Sequence, residues 1–364
     1  LNAPPEIEGV RLATPMIEVE SLGAGGGSIA VTEDGVLRVG PESAGAVPGP
    51  ACYGKGGMEP TVSDANLVLG YIDPEFFLGG RMTLDVEAAR RAIERRVARR
   101  LDMSVEEAAF AIRDRITREM ADRMVARLEG AGHRAAEFTM FAIGGSGPMH
   151  AAAIAERCGI GRIVAFPFGS VFSAFGANTT NIRHVYAHTL GASLSSAAEA
   201  DAVLESFRAQ ALRDMQGEGF AESDIRMIAE LTVSSRGKSR VVALANRRAG
   251  VAAALKAALG KSTTRARIEE IRLVAECAVP VWSPGAVRAS RRAAPRRKGA
   301  RDVHWVAGRP QRSPVYDADQ LRPGHGIEGP AIVDGTDACF VVPESWSLEV
   351  DPNRHFVMTR TRGN

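Results

Sequence analysis

Six residues, Gly23-Ala24-Gly25-Gly26-Gly27-Ser28, hold four glycines between two strand-like runs. Ile17-Glu18-Val19-Glu20 alternates apolar and charged residues and leads in; Ile29-Ala30-Val31-Thr32 leads out, and Glu33-Asp34-Gly35 turns the chain into Val36-Leu37-Arg38-Val39. Glycine loses more freedom on ordering than any other residue, so four in one turn are entropically costly. A two-residue hairpin turn needs only one or two. The excess makes sense where the backbone must approach another group closely. Bare N–H groups in a tight turn form a partly positive concavity, and phosphate is its natural occupant.

A second cluster points the same way. Phe138-Thr139-Met140-Phe141-Ala142-Ile143 reads as a short buried strand, followed by Gly144-Gly145-Ser146-Gly147-Pro148. Met149 to Cys158 reads as a helix, with Pro148 at its first turn and Gly159 just past its end. Strand, glycine loop and helix N-terminus together suit an anion or the sugar-phosphate edge of a nucleotide. No Gly-Lys-Ser/Thr follows, which excludes a Walker A loop. The Gly-x-Gly-x-x-Gly spacing of a dinucleotide fold is also absent.

The two loops resemble the second phosphate loop and the adenosine loop of the ATPase fold shared by actin, heat-shock chaperones and sugar kinases. Longer motifs extend the likeness. Val39-Gly40-Pro41-Glu42-Ser43-Ala44-Gly45, Pro48-Gly49-Pro50-Ala51-Cys52-Tyr53-Gly54, Pro60-Thr61-Val62-Ser63-Asp64-Ala65-Asn66 and Gly144-Gly145-Ser146-Gly147-Pro148-Met149-His150 resemble the hydantoinase A / 5-oxoprolinase family. Ser170-Val171-Phe172-Ser173-Ala174-Phe175-Gly176-Ala177 and Ile327-Glu328-Gly329-Pro330-Ala331-Ile332-Val333 resemble its acetone and acetophenone carboxylase branch. The resemblance implies an α/β protein: part of an actin-like (ribonuclease H-like) ATPase core over 1–190, then a mostly β domain over 191–364. It also implies longer chains, with an Asp-x-Gly-Gly-Thr first phosphate loop outside these residues, so that this chain is a fragment or one half of a split protein.

Bulk properties set the class. At 364 residues the chain has room for two domains. Hydrophobic content of 45% with 24% charged residues is that of a globular protein rather than a disordered one. A net charge of +2 gives no bulk attraction to nucleic acid or membrane. Apolar windows break well short of the roughly 20 residues that span a bilayer. No signal peptide is visible at Leu1-Asn2-Ala3-Pro4-Pro5. Cys52, Cys158, Cys277 and Cys339 lack CxxC or zinc spacing and read as reduced thiols of a cytoplasmic protein.

Further elements follow from periodicity. Asp85 to Leu101 reads as a basic amphipathic helix. Ser104-Val105-Glu106-Glu107 fits a capping box opening a longer helix, whose apolar face is Ala109, Ile112, Ile116, Met120, Met124 and Leu128. Arg162–Phe166 reads as a strand and Ser196–Met215 as a helix. Strands are expected near 226–233, 240–244, 268–279, 331–333, 339–342 and 355–359, with a helix over 252–259. Arg288 to Arg301 is basic and free of aromatics, and reads as a solvated loop rather than a nucleic-acid arm.

Individual site residues follow. The resemblance places the β- and γ-phosphates of ATP on the amides of Gly25, Gly26 and Gly27, with the Ser28 hydroxyl as a further donor. It places the adenosine side on Gly144, Gly145, Ser146 and Gly147. Asp64 is either a Mg²⁺-binding or catalytic carboxylate or the N-cap of a helix over 65–69. His150, in the first turn of its helix, either polarises a substrate carbonyl as a neutral imidazole or is a satisfied core histidine. Glu42 and Ser43 either line the cleft or belong to a polar loop. Cys52 has no activating base in view and reads as packing. His184 and His188 lie on an extended run, which argues against a shared metal.

The resemblance implies ATP-dependent phosphorylation of an amide or enol oxygen, followed by ring hydrolysis or carboxylation. It further implies Mg²⁺, a small cyclic amide or ketone as substrate, and a hydantoinase B-like partner in a hetero-oligomer. The sequence departs from the family at Leu231 to Lys238, which keeps a glycine where relatives carry Arg-Tyr-x-Gly-Gln but lacks the Tyr and Gln. The other readings are a sugar-kinase-like phosphotransferase and a non-catalytic scaffold subunit.

Overall fold

A computed structural model describes residues 6–7, 10–11, 19–193, 197–235, 238–244, 250–259, 267–280, 285 and 294–361. In chain order its main elements are β1 (Ser28–Glu33), β2 (Val36–Ser43), α1 (Val62–Val68), α2 (Val86–Ile93), α3 (Val105–Gly130), β3 (Met140–Ala142), α4 (Gly147–Cys158) and β4 (Arg162–Ala165). Then come β5 (Ile182–Ser193), α5 (Ala197–Gly217), β6 (Ile225–Ser235), β7 (Lys238–Leu244), α6 (Val251–Leu259) and β8 (Arg267–Cys277). The chain finishes with β9 (Gly299–Val306), β10 (Arg309–Asp317), β11 (Gly326–Glu328), β12 (Ala331–Asp334), β13 (Cys339–Val342), β14 (Trp346–Val350) and β15 (Phe356–Arg360). The protein is therefore α/β with a mostly β C-terminal region, as expected.

Contacts divide it into two compact units, Leu1–Phe172 with Pro284–Asn364, and Ser173–Ser283. The units part between Phe172 and Ser173, and residue 190, the expected boundary, lies inside β5 of the second unit. That long strand carries no glycine or proline before Gly191 to mark a break, and the first unit resumes after the second one ends.

In the first unit, a five-stranded sheet runs in the order β11-β14-β15-β4-β3. β3 and β4 pair in parallel through Met140↔Ile163 and Phe141↔Val164, with α4 as the crossover. The last strand, β15, lies antiparallel to β4, so both chain segments of this unit share one sheet. A second sheet, β9-β10-β12-β13, includes the hairpin β12–β13, whose turn spans Gly335 to Ala338. The β9–β10 hairpin is unexpected: Arg, Pro and Gln in Arg309-Pro310-Gln311-Arg312 give it no apolar alternation.

Helix α3 starts where the capping box predicts. Ser104 Oγ accepts the Glu107 N–H at 3.2 Å, and Glu107 Oε2 accepts the Ser104 N–H at 2.9 Å. Ala109, Ile112 and Ile116 are buried, with Met120, Met124 and Leu128 packed beside them. The expected helix near residue 65 is α1. Thr61, not Asp64, is its N-cap; Asp64 is the third helical residue of a capping box.

The second unit has the order β5-β8-β6-β7, all antiparallel. Leu231, Val233, Ile271 and Leu273 form its core with Leu204 and Met215 of α5 and Leu255 of α6. His184 and His188 lie on β5 as expected, and His184 Nε2 pairs with Glu218 at 2.9 Å.

Candidate functional site

The first glycine turn sits on the N-terminus of α1. The Ser63 N–H donates to the Gly26 carbonyl and the Ala30 N–H to the Pro60 carbonyl, both at 2.8 Å. The turn is closed from within: the Gly25 N–H donates to Ser28 Oγ at 3.0 Å, and that hydroxyl donates to the Gly23 carbonyl at 3.2 Å. Ser28 is thus a buried brace rather than the open donor the sequence suggested. The N–H groups of Gly26 and Gly27 find no acceptor among the described residues.

The second glycine cluster lies against the first. A Cβ built on Gly26 would stand 2.7 Å from Ser63 Oγ and 3.9 Å from Ser146 Oγ. Gly144 adopts φ +79°, a conformation that favours glycine, and its N–H is tied to the Gly169 carbonyl at 2.8 Å. Ser146 occupies the N-cap of α4 but makes no side-chain cap; Pro148 carries no N–H and the Met149 N–H turns back to the Ser146 carbonyl at 3.1 Å, which leaves the Gly147 N–H as the donor of the first turn without an acceptor among the described residues.

Gly26, Gly27, Gly145 and Ser146 line one cavity of about 300 Å³. Gly25, Ser28, Gly144 and Gly147 shape the two loops without lining it. Neither Glu42 nor Ser43 lines it; Ser43 Oγ accepts the Gly45 N–H at 3.2 Å. The apolar lining comes from Tyr53, Ile72, Phe76, Phe77, Leu78 and Met149. Ser63, Asp73 and the β12–β13 turn with its flanks, Asp334 to Cys339, complete it. The Asp337 carbonyl comes within 3.2 Å of the Cβ position at Gly145. No local sequence signal marks this turn, because its role depends on β12 and β13 carrying it across from the C-terminal region.

A charged wall fixes that turn. Asp334, 3% exposed, accepts two hydrogen bonds from Arg301 at 2.7 and 3.0 Å and one from Lys298 at 3.2 Å. Arg301 also donates to the Gly70 and Tyr71 carbonyls. Lys298 stands 3.5 Å over the Phe76 ring. The stretch expected to be a solvated basic loop therefore turns inward at Lys298 and Arg301, where buried carboxylate and carbonyl acceptors take both cations; its residues 288–293 lie outside the described residues. Cys339, on the same wall, has its thiol pushed up to about 12 by burial and by Asp334.

Asp64 does not face the cavity. It is fully buried, and its oxygens accept the N–H groups of Ala51, Cys52 and Thr61 and the Thr61 hydroxyl. These contacts tie the Ala51-Cys52 turn to α1 and close the capping box from its third helical position, rather than from the N-cap position expected of Asp64. Cys52 beside it is buried, and burial plus the Asp64 charge push its thiol far up, in line with a packing role.

His150 is 3% exposed and also does not line the cavity. The Thr117 hydroxyl donates to the Arg113 carbonyl at 2.7 Å, so it accepts from Nδ1–H of His150 at 3.1 Å; Asn66 Nδ2 donates to Nε2 at 3.3 Å. Both nitrogens are occupied, and burial, then Arg113, hold the ring's pKa down at about 3. It is a satisfied core histidine rather than a carbonyl-polarising one.

Among the described residues no group of three or more His, Cys, Asp or Glu side chains has metal-binding geometry, and no helix is long and apolar enough to cross a membrane.

These features define an α/β protein whose first unit carries one cavity lined by both glycine loops. The model of the Hydantoinase/oxoprolinase family matches residues 2–186, and that of the Hydantoinase/oxoprolinase C-terminal domain matches residues 245–361. The chain belongs to the hydantoinase/oxoprolinase family. It is 32% identical to the caprolactamase subunit alpha of Pseudomonas jessenii, over 96% of this chain and 53% of that one. It is 29% identical to the acetophenone carboxylase gamma subunit of Aromatoleum aromaticum, over 95% of this chain and 51% of that one. The fold matches a nucleotide-free acetone carboxylase with a TM-score of 0.89 at 23% identity, over 99% of this chain and 55% of the other. The chain thus spans about half the length of these relatives.

Proposed function

We propose that this chain supplies the second phosphate loop and the adenosine-side loop of an ATP-dependent subunit that phosphorylates an amide or enol oxygen, for ring hydrolysis or carboxylation. The observation that carries the reading is the convergence of two separate glycine loops, 120 residues apart in the chain, on one cavity with unpartnered amides. The N–H groups of Gly26 and Gly27, with the positive end of the α4 dipole behind Gly145 and Ser146, fit the oxygens of a polyphosphate. In the transfer, the γ-phosphorus bonds to the substrate oxygen as its bond to the bridging oxygen breaks, and ADP leaves. Amides held in place before reaction stabilise the charge on the phosphoryl oxygens without reorganising. The phosphorylated oxygen is then a good leaving group.

Mg²⁺ would supply charge neutralisation on the phosphates. Asp64 is occupied by backbone donors, and Asp73 and Asp334 face Arg301 and Lys298, so in this reading the phosphates and residues outside this chain hold the ion. Relatives named as subunits support a hetero-oligomer, and the hydantoinase B-like partner belongs to the same proposal. The substrate class is a small cyclic amide or ketone, after caprolactamase and the ketone carboxylases.

The test is a product assay on the full-length protein with its partner, ATP, Mg²⁺ and bicarbonate. Candidate substrates are caprolactam, 5-oxoproline, hydantoin, acetone and acetophenone. Ring-opened or carboxylated product formed with stoichiometric ADP supports the reading. A stable phosphorylated product identifies a kinase-like phosphotransferase instead, and no turnover with retained partner binding identifies a scaffold.

A further inference from the structure

The two glycine loops are joined through a buried polar layer beneath the cavity. The first loop hangs on α1 by the Ser63 N–H to Gly26 carbonyl bond, 2.8 Å. Three residues further along α1, Asn66 reaches His150 of α4 at 3.3 Å. Helix α4 begins at the second loop. His150 is held in turn by Thr117 of α3, at 3.1 Å. One turn earlier on α3, the Arg113 guanidinium donates to the Met149 carbonyl at 2.7 Å and stacks 4.4 Å from the Tyr71 ring. Asn66, Arg113, Thr117 and His150 are all at most 8% exposed.

Apolar residues would pack these three helices as well, and each buried polar group carries a desolvation cost unless it is partnered. What the polar layer adds is direction: a hydrogen bond fixes the rotation and rise of one helix against another, where apolar contact leaves more freedom. We infer that His150 is a positioning residue that sets the separation of the two phosphate-binding loops by pinning α4 to α1 through Asn66. Resting on the nucleotide reading above, this gives the buried histidine of the Gly-Gly-Ser-Gly-Pro-Met-His run a function without contact with the ligand. A shift of α4 along its axis moves Gly145 and Ser146 relative to Gly26 and Gly27, and a bound polyphosphate then reaches only one set of amides.

The layer predicts which substitutions matter. His150→Phe keeps the ring's bulk and removes both hydrogen bonds. His150→Gln keeps an acceptor near the Nε2 position for the Asn66 amide. Isothermal titration of the full-length protein with ADP, at a temperature well below the melting point of every variant, reads the consequence. His150→Phe is expected to weaken ADP binding at least tenfold and His150→Gln less than threefold. Should His150→Phe not accumulate as folded protein, Asn66→Ala breaks the same link from α1 and is expected to weaken binding to a similar extent. ADP affinity within threefold of wild type in both His150→Phe and Asn66→Ala overturns the inference, as does equal loss in His150→Gln and His150→Phe. Wild-type protein that does not bind ADP refutes the nucleotide reading itself, which separates the two failures.

Discussion

Gly26 is where the account is most exposed to a single substitution. Its φ lies outside the left-handed region, so an L side chain is tolerated by the backbone. The added Cβ points at Ser63 Oγ, 2.7 Å away, with Ser146 Oγ 3.9 Å away, so a side chain there grows into the gap between the two loops. Ser63 can turn its hydroxyl aside, which keeps the cost to folding small. A bound phosphate cannot move aside without leaving the amides. Gly26→Val is therefore expected to remove about two hydrogen bonds to a charged group, at about 1.5–3 kcal/mol each, or about 10²- to 10⁴-fold in Kd. The assay is titration of full-length protein with ADP, alongside a thermal melt. Gly26→Ala with Ser63→Gly serves as the control: it relieves the contact with Ser63 and adds only one methyl, and should recover most of the affinity. A Gly26→Val protein that melts like wild type and binds ADP within threefold would refute the reasoning, because the phosphate would then have to sit elsewhere.

Other consequences are testable on the same protein. Asp64→Ala strands the N–H groups of Ala51, Cys52 and Thr61 and should lower unfolding stability by about 3–5 kcal/mol in urea; a loss under 1 kcal/mol would show that these bonds are readily replaced. His150 has a folded pKa of about 3 against about 6.5 unfolded, so its contribution is intact above pH 6.5 and is lost as the pH falls toward 3. Between pH 7 and 5 that amounts to about 2 kcal/mol, and the difference should vanish in His150→Gln; identical pH profiles for both proteins would contradict the assigned neutral state. Burial raises the thiol pKa of Cys52, Cys158 and Cys339, so iodoacetamide at pH 8 should leave all three unmodified in the native protein and alkylate them in denaturant.

Much of the architecture is legible locally. The Ser104–Glu107 box, the 3.6-residue stripe from Ala109 to Leu128 and the second glycine loop announce themselves through short-range chemistry, and each lands where the sequence places it; the first glycine loop leads into β1 as expected, but Val19 and Glu20 of its expected lead-in strand are irregular and Ile17 and Glu18 lie outside the described residues. The β9–β10 hairpin does not, because Arg309-Pro310-Gln311-Arg312 is stabilised by pairing with residues that carry no alternation of their own. Asp64 shows the limit for sites. A carboxylate beside a helix start is written identically whether it binds a metal or caps the helix, and only the three-dimensional placement of the Ala51-Cys52 amides separates the two. His150 is similar: its partners Asn66 and Thr117 lie 84 and 33 residues away. The β12–β13 turn and the Arg301–Asp334 wall reach the cavity from the far end of the chain, so no window of sequence holds both halves of the site.

The most direct test of the central claim is backbone hydrogen–deuterium exchange on the full-length protein with ADP, adenosine or no ligand. Convergent phosphate loops predict that ADP slows exchange in both the 25–28 and 144–147 segments together, and that adenosine, lacking phosphate, leaves the first unchanged. Unaltered exchange at both segments under saturating ADP, or protection confined to one of them, would contradict it.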